Sequence, residues 1–77
     1  MHVVIAKVDE VFFDGEAKSM TLPGSDGEMT VLPEHEPLIS TLKAGTITVR
    51  PVSGENVAFE IEGGVLEVTG SGATVIL

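Results

Sequence analysis

The chain has no cysteine, no tryptophan and no tyrosine, and only four basic residues stand against twelve acidic ones. Without cysteine, neither a disulfide nor a thiolate-held metal can brace the fold. Three phenylalanines are the only aromatic residues, so the core must be built from Val, Ile, Leu and Met. A net charge of −8 argues against nucleic acid and anionic lipid surfaces, which need a basic footprint. No basic or aromatic stripe is available for stacking bases. No apolar run approaches the roughly 20 residues of a helical membrane span. Met1–Val8 lacks the length and charged flank of a signal peptide. These shortages describe a soluble, cytosolic type of domain whose partners are neutral or basic.

Residues 1–77 make a single domain near the small end of what folds alone. A chain of this size hides only about 60% of its unfolded surface, which leaves a thin stability margin. An aliphatic core with no staple is the kind that gains stability from a partner.

The dominant pattern is short alternation punctuated by turn residues. His2–Val8 is a β-branched opening run, broken by Asp9-Glu10. Val11-Phe12-Phe13 precedes Asp14-Gly15, which reads as a turn pair. Glu16–Leu22 follows as a separate strand, with Met20 and Leu22 facing inward. Pro23 to Gly27 form a turn cluster, and Glu28–Leu32 is a strand with Met29 and Val31 on one face. Pro33 and Pro37 bracket Glu34-His35-Glu36 and predict an extended, rigid loop, since each proline pushes its predecessor away from helix. Leu38–Leu42 fits a strand or a single helical turn equally well. Thr46–Val52 places Ile47 and Val49 on one face, with Pro51 marking its end or an edge. Val57–Glu62 puts Val57, Phe59 and Ile61 inward. Gly63-Gly64 and Gly70-Ser71-Gly72 then turn the chain into Val65–Val68 and Ala73–Leu77. Short strands with turn signals every eight to twelve residues predict an all-β fold, a small antiparallel sandwich or barrel.

Catalytic chemistry finds little footing in this pattern. Glu34, His35 and Glu36 are adjacent on extended chain, so at most two can meet one ion, and His2 or Asp26 would have to complete the set. Glu60 and Glu62 share one face of an alternating strand, but it is the solvated face, whereas paired carboxylates that do acid–base work need a cleft. The glycine turns lie between strands, with no following helix to supply the free amides of a phosphate site. Positive φ at hairpin turns is enough to explain them. The remaining candidate is a docking edge built from Met29, the PEHEP loop, Leu38 and Ile39, where the prolines lower the ordering cost of binding.

The residues themselves carry a resemblance. The run LPGSDGEMTVLPEHEPLISTLKAGTITVR, from Leu22, resembles a segment of the epsilon subunit of the rotary F-type ATP synthase (delta in mitochondria). That segment typically reads PG-S-x-GE, a hydrophobic stretch, then PGHAPL and KPG. Glu62–Val68 (EGGVLEV) is similar to the family's GG-hydrophobic-LEV strand, and Phe13-Asp14-Gly15 to its F-x-G turn. The resemblance implies an N-terminal β-sandwich of about ten strands, part of the central rotor. Its partners there are the gamma shaft and the membrane ring of c subunits, at the cytoplasmic face of the inner membrane. It implies no catalytic site and no cofactor, and a role in coupling ion flow to ATP synthesis. Asp26, Gly27 and Glu28 match the loop facing the c ring. His35 and Pro37 match the His and Pro of PGHAP, expected on the same rotor-facing end. Thr30, Glu34 and Glu36 depart from the family pattern, the last two turning PGHAP into PEHEP. The C-terminal helical hairpin common in the family has no counterpart in residues 1–77, so its braking and nucleotide-binding roles are not assigned here. The competing reading is a free-standing β-sandwich adaptor that docks on another protein, supported by the altered loop.

Overall fold

The molecule is organised around one long strand. A computed structural model describes all residues 1–77 as eight strands and no helix. In order these are β1 (His2–Lys7), β2 (Glu10–Gly24), β3 (Gly27–Val31), β4 (Leu38–Leu42), β5 (Gly45–Pro51), β6 (Val57–Ile61), β7 (Gly64–Thr69) and β8 (Gly72–Ile76).

The 15-residue β2 belongs to two layers. Its first half, up to Glu16, runs antiparallel to β1. Beyond β1 come β8 in parallel, then β7 and β4, each antiparallel to its neighbour. The second half of β2 lies between β3 and β5, with β6 beyond β5. The register shift between Ala17 and Ser19 marks the point where the strand passes from one layer to the other. At its far end β2 returns to β4. Gly24 pairs Leu42, Lys43 N–H donates to the Pro23 carbonyl (2.9 Å), and Ser25 N–H donates to the Thr41 carbonyl (3.0 Å).

The space between the layers is filled by aliphatic side chains. Val3 and Ile5 of β1, Met20 and Leu22 of β2, Val31, Ile47, Val49, Leu66 and Val75 are all fully buried. No polar or charged side chain is buried with them. The inward residues are the alternating sets that strand geometry sends to one face, so the expected faces of Met20/Leu22, Ile47/Val49 and Val57/Phe59/Ile61 are as the sequence predicts.

Two expectations change, and one that the sequence left open is decided. The strand count is eight rather than about ten. Asp14-Gly15 is not a turn, because β2 continues through it with Gly15 opposite Val3 and Asp14 opposite Val4. Leu38–Leu42 is a strand: its apolar pattern is neutral, and pairing with Val68 to Gly64 of β7 decides it.

Candidate functional site

The β2–β3 hairpin presents the first group of predicted residues. Ser25 and Asp26 form its tip between the paired Gly24 and Gly27. Both keep negative φ, so the usual mirror-image turn is not formed. Gly27, at φ +138°, absorbs the strand twist instead. Asp26 and Glu28 are exposed, and neither forms an ion pair with a base of this chain. The tip is braced from below by the Ser25–Thr41 hydroxyl contact (2.7 Å) and by Thr21 against Thr30 (3.3 Å). It is therefore a braced, acidic projection whose Asp26 and Glu28 carboxylates have no partner within the chain.

The second group lies at the other end of β3. Leu32 to His35 make a four-residue turn closed by His35 N–H donating to the Leu32 carbonyl (3.2 Å). Pro33 occupies the second position and Glu34, at φ +67°, the third, which is the pattern of a type II turn. That third position favours glycine, because a Cβ is crowded there. The expected extended loop is thus a turn followed by a short irregular link through Glu36-Pro37 into β4. The His35 Nδ1–H donates to the Glu36 carbonyl (2.7 Å), which pins the ring against its own loop. Beside it is a depression of about 210 Å³ lined by Leu32, His35, Val68 and the β7–β8 turn.

The structure therefore brings Asp26, Gly27 and Glu28 together and sets His35 and Pro37 apart. The five-residue strand between them spans about 17 Å. Of the docking edge read from the sequence, Met29 and Leu38 pack against the core, while Ile39, 74% exposed, and the PEHEP residues other than half-buried His35 stand out. The PEHEP acids gain no further ligand: Asp26 is at the far end of β3, and His2 is held elsewhere.

Sequence reasoning missed a third feature, the outer face of the β2-β1-β8-β7-β4 layer. Cross-strand register aligns Val11, Ala6, Ile76, Val65 and Thr41 in one row, with Ile39 opposite Glu67 beside it. Val11, Val65, Ile76 and Ile39 are all exposed. The signal lay in Val65-Leu66 and Val75-Ile76, neighbours that put apolar groups on both faces of one strand. A strand built so is made to be covered on both sides.

At the other end of this face His2 bridges two carboxylates. Its Nδ1 meets Glu16 Oε2 at 3.0 Å and its Nε2 meets Asp14 Oδ1 at 2.7 Å. The hydrogen bonds to Glu16 and then Asp14 raise the imidazole pKa above its ordinary value.

Fold and surfaces together define an all-β sandwich whose distinctive chemistry sits on its outside, in an acidic hairpin tip and an apolar outer face. Comparison with known proteins gives that class its family. Residues 1–77 match the family model described as ATP synthase, Delta/Epsilon chain, beta-sandwich domain, and the chain belongs to this family. It is 44% identical over 77 residues to the ATP synthase epsilon chain of Bordetella avium, covering 99% of this chain and 54% of that one. Against the epsilon chain of Delftia acidovorans it is 36% identical over 76 residues, covering 99% and 55%. The chain thus spans about half the length of the curated relatives it matches. Among solved structures it resembles a chain of the Euglena gracilis mitochondrial ATP synthase OSCP/F1/c-ring complex, with TM-score 0.86 and 26% identity, covering 96% of this chain and 48% of that chain. A chain of the Tetrahymena thermophila mitochondrial ATP synthase central stalk and c ring shares the fold, with TM-score 0.82, 19% identity, and coverage of 99% and 61%.

Proposed function

We propose that this chain is the β-sandwich of a central-stalk rotor subunit, holding the gamma shaft to the c ring so that ion flow is coupled to ATP synthesis. The observation that carries the reading is the likeness to a chain of an F1/c-ring assembly across 96% of the sequence. The division of the surface supports it, because a coupling piece needs two distinct docking sites. The hairpin tip, with Asp26 and Glu28 unpaired, offers carboxylates to polar or basic loops of the ring. The apolar row of Val11, Ile76 and Val65, with Ile39 beside it, offers the larger and drier contact that a permanent shaft interface requires. The role is mechanical rather than catalytic, and contact with the cytoplasmic face of the inner membrane comes through the complex.

His35 and Pro37, at the other end of β3, are on this reading part of the shaft side rather than the ring side. Purification of the intact synthase from the source cells tests the proposal: the chain should co-purify with gamma and the c ring. A complete, coupled synthase lacking it overturns the rotor reading and leaves the adaptor. Within the assembly, Glu28→Ala should loosen the ring contact, lowering retention on c-ring-containing membranes severalfold, while Glu36→Ala should not. An exposed charge pair is worth only about 0–1 kcal/mol, so the Glu28→Ala effect stays modest.

A further inference from the structure

The sandwich is open along one side, and all three phenylalanines are gathered there. The first half of β2, from Glu10 to Gly15, pairs with β1 on one edge only, and β6 pairs with β5 alone. Between these two unpaired edges Phe12 and Phe59 meet edge-to-face, with centroids 6.1 Å apart, and Phe13 lines a second depression with Val57. Next to the Phe12–Phe59 pair runs a groove of about 590 Å³. One wall is six consecutive residues of β6 and its end, Ala58 to Gly63; Lys7, Phe12 and Leu77 form the other.

We infer that this groove takes an extended segment of a partner protein as an added strand on the free edge of β6, and that the segment alternates basic and apolar residues. Three independent features lead there. The backbone N–H and C=O groups on the outer edge of β6 have no partner in the fold, which is the template for strand addition. The floor is apolar and aromatic, so every second side chain of an incoming strand finds burial. The rim is acidic: Glu60 and Glu62 flank the groove, Glu55 continues the charge beyond it, and Lys7 alone opposes them. Lys7 itself lies over the Phe12 ring, 5.9 Å from its centroid, and is turned toward the aromatic floor. A second copy of this chain is a poor occupant, because pairing two β6 edges would bring the Glu60 and Glu62 carboxylates of both copies together. A further free edge, on β3, has no comparable groove beside it and carries exposed Glu28 and Thr30 instead.

The test uses the 77-residue chain and an eight-residue capped peptide of alternating Lys and Val, followed by backbone NMR. The expected result is shift changes and slowed amide exchange confined to Val57–Glu62, with ring-proton shifts at Phe12 and Phe59. The same peptide N-methylated at alternate residues, which blocks strand pairing but keeps its charge, should bind at least tenfold more weakly. The doubly exposed variant Glu60→Lys/Glu62→Lys should also lose at least tenfold while its spectrum stays folded, and affinity should fall as salt rises. Equal binding of an alternating Glu and Val peptide, tolerance of N-methylation, perturbations on β3 instead of β6, self-association through β6, or no binding at all would each overturn the inference.

Discussion

The two ends of β3 look alike in the sequence, each a turn rich in acids and punctuated by Pro or Gly, yet they are built in opposite ways. At the hairpin tip the demanding backbone position falls on Gly27, φ +138°, and the acids sit where backbone geometry is easy. At the PEHEP turn the demanding position falls on Glu34, φ +67°, a residue with a full side chain. The tip is relaxed and its carboxylates are free. The turn is strained, and its histidine is spent on the carbonyl of Glu36. Strain held at a surface turn, in a domain with little stability to spare, points to a constraint other than folding at that end.

This contrast makes predictions of opposite sign. Gly27→Ala puts a Cβ on a backbone that only glycine holds easily, and should lower stability by about 1–3 kcal/mol. In a domain of this length that is a fall in Tm of at least about 4 °C by differential scanning calorimetry. Glu34→Gly at the other end should raise stability by about 0.5–1 kcal/mol, and a Tm that falls would show that Glu34 is held by something other than the turn. The smallest effect belongs to His2, whose Asp14 and Glu16 partners raise its pKa in the folded state. Its stabilisation is fully present below the unfolded-state value and is lost as pH rises through the higher folded-state value. Tm should therefore decline as pH rises through and above neutral by a component that His2→Gln abolishes. A His2→Gln variant with an unchanged Tm–pH profile would mean that the bridge contributes nothing.

Much of the core was legible because it depends on period alone. Met20, Leu22, Ile47, Val49 and Ile61 alternate with polar neighbours, and no other geometry buries them together. Asp14-Gly15 misled because a favoured turn pair can be overruled by what lies across the strand. Gly15 sits opposite Val3 with the Phe13 ring close over it, 3.6 Å from where a Cβ would stand, and Asp14 is claimed by His2. None of those partners is near in sequence. The five candidate site residues were legible only through family resemblance. Their division into two groups was not, because it depends on β3 running straight between two turns that the sequence places only a few residues apart. The outer apolar row was hidden for a related reason: its members come from five strands, and only the register aligns them.

The parallel pairing of β1 with β8 has a consequence for how the chain is made. β1 is an inner strand of its layer, and one of its two neighbours is contributed by residues 72 to 76. During synthesis, β1 and β2 can form a hairpin early, but the second edge of β1 stays bare until residues 72 to 76 have left the ribosome. Joining residues 2 to 6 to residues 72 to 76 is a contact of long sequence separation, the kind that places β proteins in the millisecond-to-second range of folding times. During that interval the edge of His2–Ala6, with Val3 and Ile5 not yet buried, is open to any other strand in reach. Early capture by an assembly partner or a chaperone would therefore matter most for this molecule in the moments before β8 arrives.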